Sequence, residues 1–142
     1  MANGKPQIEG VYETVLYAAD PPAAARFYSE VLGLRPVLDP DEQSAAFRLP
    51  DGGMLLVFDP DRSAQAGRPV PSHGAEGPGH AAFKLAPGTL EAARIILTEH
   101  GIGIEREVDW GRGRSLYFRD PAGNSVELVD GDIWPPSREK SD

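Results

Sequence analysis

Apolar and polar positions along the chain change period several times, and each change marks an element. Val11 to Ala18, VYETVLYA, is rich in β-branched and aromatic residues and reads as a strand. A helix is expected next: Asp20 can cap it, Pro21 and Pro22 take its first positions, Phe27, Val31 and Leu32 recur on one face, and Gly33 closes it. Short strands follow near RPVL, SAAFRL and MLLVFD, separated by the turn-forming DPDEQ and PDGG. The order is β-α-β-β-β.

The second half repeats it. GHAAFKLA, Gly79 to Ala86, is strand-like; Thr89 can cap a helix carrying Leu90, Ala93, Ile96 and Leu97, and Gly101 closes it. Strands near IEREV, RSLYF and NSVELV complete the unit. Without a gap, Phe47 to Asp59 (FRLPDGGMLLVFD) lies over Phe118 to Asp130 (FRDPAGNSVELVD). These strings share the Phe-Arg start, a Pro-x-Gly turn and the terminal Asp. The expected fold is therefore α+β: two tandem β-α-β-β-β modules forming a curved mixed sheet around a central cleft. Module one covers about 8–62 and module two about 79–132 of a single domain. The Pro/Gly/Ala-rich stretch between them, about 63–78, is a connection, and the tail 133–142 and the first several residues are expected to be frayed.

Composition narrows the chemistry. A net charge of −8, without a basic stripe, argues against nucleic acid as a partner. No apolar run approaches the roughly 18 residues of a membrane span, and the N-terminus has no apolar signal-peptide core, so no membrane partner and a cytoplasmic location are expected. The chain has no cysteine, so any metal must be held by His, Asp, Glu or backbone oxygen.

Superposing the modules puts Glu13 over His80, early in the first strands, and Leu56 over Glu127, in the last strands. Three of these four are residues that ligate divalent metals, and a pseudo-twofold relation draws the four positions towards one cleft. Glu127 stands in an apolar strand, where a carboxylate is costly to bury without a partner; Arg48 or Arg119 across the sheet is the alternative to a metal.

ETVLYAADPPAAARFYSEVLGL in module one, with YFRDPAGNSVEL in module two, resembles the vicinal oxygen chelate superfamily of glyoxalase I, fosfomycin-resistance transferases, extradiol dioxygenases and bleomycin-binding resistance proteins. The resemblance covers about residues 8–132 and is more specific for fold than for reaction. It implies a divalent metal ion (Zn, Mn, Fe, Ni or Mg) on Glu13, His80 and Glu127, with Glu13 where many members have His. Leu56 stands where glyoxalase I-like members have a fourth ligand, which speaks against classical glyoxalase I activity. A neutral imidazole and two carboxylates around a dication sum to zero charge and leave positions open for a substrate with two oxygens.

Strand alternation sets Ser115 and Tyr117 on one face, and Tyr117 falls where the fosfomycin-resistance enzymes carry a substrate-contacting tyrosine. Arg112 and Arg114, flanked by Gly111 and Gly113, are placed at the cleft mouth, where an arginine can grip a carboxylate or phosphate. His73, in the connection, is a candidate to fold over the site. Each has an ordinary alternative: a hydrogen-bonded structural His80, a solvated edge Glu13, sheet packing for Tyr117, a solvated loop for the arginines and His73. His100 is expected at a helix C-terminus, against the dipole. Trp110 and Trp134 either wall the cleft or seal a subunit interface.

The expected function is metal-dependent chemistry on a small oxygen-rich metabolite or xenobiotic, of lyase, isomerase, transferase or dioxygenase type. Glu13 and Tyr117 are the catalytic candidates, and Tyr117, Arg114, Arg112, Ser115, His73 and Leu56 the substrate-binding ones. The alternative is a metal-free protein that sequesters an antibiotic, as bleomycin-binding members do; a plain interaction module is the third reading. A homodimer is expected, with the cleft formed within one chain or between exchanged modules.

Overall fold

The computed structural model describes residues 4–136; the very first residues and most of the tail that the sequence reading leaves frayed lie outside them. Module one runs β1 (Glu13–Tyr17), α1 (Pro21–Glu30), β2 (Arg35–Pro36), β3 (Ser44–Arg48) and β4 (Met54–Phe58). A short α2 (Pro60–Ser63) follows, and module two runs β5 (His80–Lys84), α3 (Leu90–Glu99), β6 (Arg106–Asp109), β7 (Gly113–Arg119) and β8 (Ser125–Gly131). Among the described residues no helix is long and apolar enough to cross a membrane.

The helix signals act much as expected. Asp20 accepts the Ala23 N–H at 3.1 Å with prolines behind it, and Gly33 and Gly101 end their helices with a φ of 69° that side chains disfavour. Thr89 departs from expectation: its hydroxyl donates to the Ala86 carbonyl at 2.7 Å and caps nothing. The sequence reading passed over α2, though Asp59-Pro60 repeats the Asp20-Pro21 signal and Asp59 accepts the Asp61 N–H at 2.9 Å.

Each module makes a four-stranded mixed sheet, ordered β1-β4-β3-β2 and β5-β8-β7-β6. The registers match: β1 runs parallel to β4 with Glu13 opposite Met54 and Val15 opposite Leu56, and β5 runs parallel to β8 with His80 opposite Ser125 and Ala82 opposite Glu127. Glu13 is thus the structural equivalent of His80, and Leu56 of Glu127. The inner faces of the sheets, with Phe47, Leu55 and Val57 from one and Leu116, Phe118 and Val126 from the other, enter one core together with Tyr28 and Leu97 of the helices. Tyr28 is at its centre, 5.9 Å from the Phe47 ring and 6.4 Å from that of Phe83. Alternation then turns Glu13, Val15 and Leu56 on one sheet, and His80, Tyr117 and Glu127 on the other, away from that shared core.

A polar cluster locks the modules together. The Tyr28 hydroxyl donates to Asp120 Oδ2 at 2.7 Å; Asn124 Nδ2 donates to Asp120 Oδ2 and to the Tyr17 carbonyl, both at 3.0 Å; and Asn124 Oδ1 accepts the Gly79 N–H at 2.7 Å. Asp120 and Asn124 are 4% and 2% exposed, so each of these bonds replaces water that cannot enter. The connection is pinned as well: Ser63 and His73 exchange bonds between His73 N and Ser63 O (3.0 Å) and between Ser63 Oγ and His73 O (2.7 Å).

Burial first, then the Asp120 charge and hydrogen bond, hold the Tyr28 phenol far above the ordinary tyrosine value of 10.0. Its contribution to stability is therefore full below pH 10 and falls as the pH rises above that value, where the unfolded chain ionises and the folded one does not. In urea unfolding, Tyr28→Phe is expected to cost about 1–3 kcal/mol at neutral pH and to make the alkaline loss of stability shallower. An alkaline limb of unchanged slope would remove Tyr28 as its source. Asn124→Ala, which removes three hydrogen bonds, one of them to Tyr17 across the module junction, should cost more.

Candidate functional site

The outer face of the second sheet brings together four side chains from three strands. Glu127 on β8 is 5% exposed, a buried carboxylate on the face away from the main core. Its Oε2 accepts the Ser115 hydroxyl at 2.5 Å, and its Oε1 lies 3.3 Å from His80 Nε2. Neither arginine considered from sequence reaches it. Arg119 makes a two-bond pair with Glu105 at 2.7 and 3.0 Å, and Arg48 donates to the Gly52 carbonyl at 3.1 Å.

Hydrogen positions follow from what each partner can do. Trp110 Nε1, which can only donate, lies 2.9 Å from Ser115 Oγ, so the serine proton goes to Glu127. His80 Nδ1 lies 3.0 Å from the Ser125 carbonyl, which can only accept, so that nitrogen is assigned the proton. In the neutral ring Nε2 then presents a lone pair beside the Glu127 carboxylate. Two electron-rich atoms at 3.3 Å need a cation, either a second proton on His80 or a metal ion. The backbone carbonyl behind Nδ1 is the support that a ligating histidine ordinarily has.

Tyr117 completes the cluster, its ring stacked on His80 with centroids 6.4 Å apart and 20° between planes. Burial first, then the neighbouring Glu127 carboxylate, raise the phenol above the ordinary tyrosine value, while Ser115 works against them. Tyr117 is accordingly a proton-bearing donor at neutral pH.

These groups open onto a cavity of about 400 Å³ walled by Trp110, Trp134, Ile133 and Phe83, with Lys84 on its rim. Trp134 belongs to the tail segment expected to fray, yet the Arg112 guanidinium donates to its carbonyl at 3.0 Å and holds it here. The return is made possible where Gly113 and Gly131 face each other: a Cβ on Gly113 would stand 2.6 Å from the Asp130 carbonyl oxygen, and Gly131 has a φ of 95°.

The remaining candidates lie elsewhere. Glu13 is exposed on β1, and Leu56 half-buried on β4, both on the outer face of the first sheet. Among the described residues of one chain no group of three or more His, Asp or Glu is placed to hold a metal, so the chain itself brings together His80 and Glu127 without Glu13. The physical reason is the shared core, which lies between the two outer faces. His73 packs edge-on against Phe58 at 4.9 Å and bonds the Tyr17 hydroxyl at 2.7 Å, so it covers the end of the first sheet and not the His80 cavity. Arg114 alternates onto the opposite face from Glu127 and lies 3.8 Å from Asp109. Arg112 acts on the tail, and Ser115, with no exposure, has its hydroxyl committed on both sides. His100 takes its expected place at the end of α3, with Nδ1 3.0 Å from the Ile96 carbonyl.

Sequence reasoning left the tryptophans undecided and missed Ile133 and Lys84. Alternation along β5 from His80 would have found Lys84; nothing local in the tail foretells its return.

Comparison with known proteins agrees with the geometry. The profile described as Glyoxalase/Bleomycin resistance protein/Dioxygenase superfamily matches residues 10–128. A search of the curated proteins finds no match. Among solved structures, the lactoylglutathione lyase of Agrobacterium tumefaciens is similar at 38% identity and a TM-score of 0.84, over 90% of this chain and 98% of that one. A glyoxalase/dioxygenase of Nostoc punctiforme is similar at 26% identity and a TM-score of 0.69, over 93% and 96% of the two chains.

Proposed function

Because this chain belongs to the Glyoxalase/Bleomycin resistance protein/Dioxygenase superfamily, we propose that it is a divalent-metal-dependent enzyme of lyase or isomerase type acting on a small oxygen-rich molecule. The observation that carries this reading is the His80–Glu127 pair: an imidazole lone pair and a buried carboxylate oxygen converge at 3.3 Å on a cavity. The 38% identity to a lactoylglutathione lyase supports the lyase type, and Leu56, at the module-one position equivalent to Glu127, separates it from a four-ligand site.

In this reading the third ligand, Glu13, comes from a second copy of the chain in a homodimer. Three features support a second copy. The outer faces of one chain point away from its core, β1 and β5 are edge strands with one side unpaired, and Ile8, Val11 and Tyr12, just before and at the entry to β1, are 83%, 78% and 72% exposed. The donor set of one imidazole and two carboxylates suits Zn²⁺, Mn²⁺, Fe²⁺, Ni²⁺ or Mg²⁺. When bound, such an ion supplies Lewis acidity towards two neighbouring substrate oxygens. The chain's own groups do the rest: Tyr117 donates a hydrogen bond to a substrate oxygen, Glu13 takes up a proton, and the indoles of Trp110 and Trp134 keep water from the apolar part of the substrate.

Protein purified without chelator should carry about one divalent metal per chain, and His80→Ala or Glu127→Ala should each abolish it. Wild-type protein that stays metal-free and unchanged by added Zn²⁺ or Mn²⁺ would sink the proposal. It would favour instead the sequestering reading, which the tryptophan-walled cavity and the acidic surface support.

Shared sites have their own signature. Glu13→Ala and His80→Ala protein, unfolded and refolded together, should regain metal at about a quarter of sites, because each mixed dimer rebuilds one intact site of two. No recovery would refute the exchange. Leu56→Glu, on the same face as Glu13, should raise metal affinity roughly tenfold or more by adding a carboxylate ligand; calorimetry with Mn²⁺ measures it.

A further inference from the structure

We propose that Ser115, aimed by Trp110, is a positioning residue that fixes the Glu127 carboxylate in a one-oxygen presentation to the metal; this rests on the metal-enzyme reading above. The starting point is the direction of the two bonds. The indole N–H of Trp110 donates to Ser115 Oγ at 2.9 Å, which leaves the serine one use for its own proton, and Glu127 Oε2 receives it at 2.5 Å. A short hydroxyl–carboxylate bond is charge-assisted and among the stronger kinds of hydrogen bond. It occupies Oε2 and leaves Oε1, the oxygen that faces His80 Nε2, as the free ligand atom.

The setting makes this bond hard to exchange. Ser115 has no exposure and Glu127 has 5%, so water does not compete for either oxygen. Ser115 does not line the cavity beside His80 and Glu127, and its route to the site runs through Glu127.

The internal repeat supplies a control. Ser44 is the module-one equivalent of Ser115, since Ser44 faces Phe58 as Ser115 faces Val129. The serine is therefore present in both modules, whereas the carboxylate and the indole are not: Leu56 stands for Glu127, and Asp39, the same five positions upstream, stands for Trp110. The relay is complete only in the module that carries the carboxylate, so it belongs to the site and not to the scaffold.

The test is calorimetric titration with Mn²⁺ of wild type, Ser115→Ala, Ser115→Thr, Trp110→Phe and Ser44→Ala, with metal-free melting curves of each. Losing an outer partner of a ligand ordinarily costs roughly 10–100-fold in metal affinity, and Ser115→Ala is expected in that range. Ser115→Thr should recover most of it, Trp110→Phe should lose less, and Ser44→Ala should match wild type. A second readout is the Trp110 indole N–H resonance: saturating Zn²⁺ should shift it in wild type and not in Ser115→Ala, a difference that a purely structural serine would not produce. Affinity unchanged in Ser115→Ala, or lowered equally in Ser44→Ala, overturns the relay and leaves the metal-enzyme reading standing; wild type that takes up neither ion overturns both. Should Ser115→Ala fail to fold, Trp110→Phe decides, and an unaltered Mn²⁺ affinity there overturns the relay.

Discussion

Everything at the site hangs on the buried turn that begins at Asp120 and ends at Asn124. Asp120 is a carboxylate with almost no exposure, and it is tolerable inside only because Tyr28, Asn124 and backbone N–H groups surround it. Those partners come from both modules, so satisfying one charge fixes the modules against each other. The same turn sets the site: Asn124 holds the Gly79 N–H just before His80, and Ser125, the next residue, accepts the His80 Nδ1 bond.

A second buried carboxylate, Glu127, obeys the same rule with a different outcome. Asp120 is saturated by its own chain, whereas Glu127 has one oxygen bonded and one directed at an imidazole and a cavity. Within a duplicated scaffold this difference separates structure from chemistry. Position for position, the first module replaces Tyr117 by Ala46 and Glu127 by Leu56, and its strands keep the same register without them. The scaffold needs neither residue, and its outer face can be equipped independently in each copy.

Much of the architecture was legible in the chain. The repeat, the order of elements along the chain and the caps at Asp20, Gly33 and Gly101 follow from local signals, because turn dihedrals and helix ends depend on residues close in sequence. Thr89 shows the limit of such reasoning, since a cap residue can spend its hydroxyl on another nearby carbonyl. At the site, alternation put Ser115 and Tyr117 on one face, and the repeat singled out His80 and Glu127. His73, expected over the site, lies at the end of the first sheet, held by distant Tyr17 and Phe58, whereas Arg114, expected at the cleft, faces the other side by plain strand alternation, a local signal that the expectation overlooked.

The sequence by itself determined the two modules, their order of elements and the residue types able to hold a metal, because period, turn chemistry and internal duplication are carried by neighbours along the chain. Only the tertiary structure decided which of those residues meet. Helices from both modules share one core, which separates the face of Glu13 from that of His80 and Glu127 within a chain. It also decided that Ser115 bonds Glu127 and that Trp134 folds back to wall the cavity. These contacts join residues from different elements, and their geometry is set by packing that no local pattern encodes.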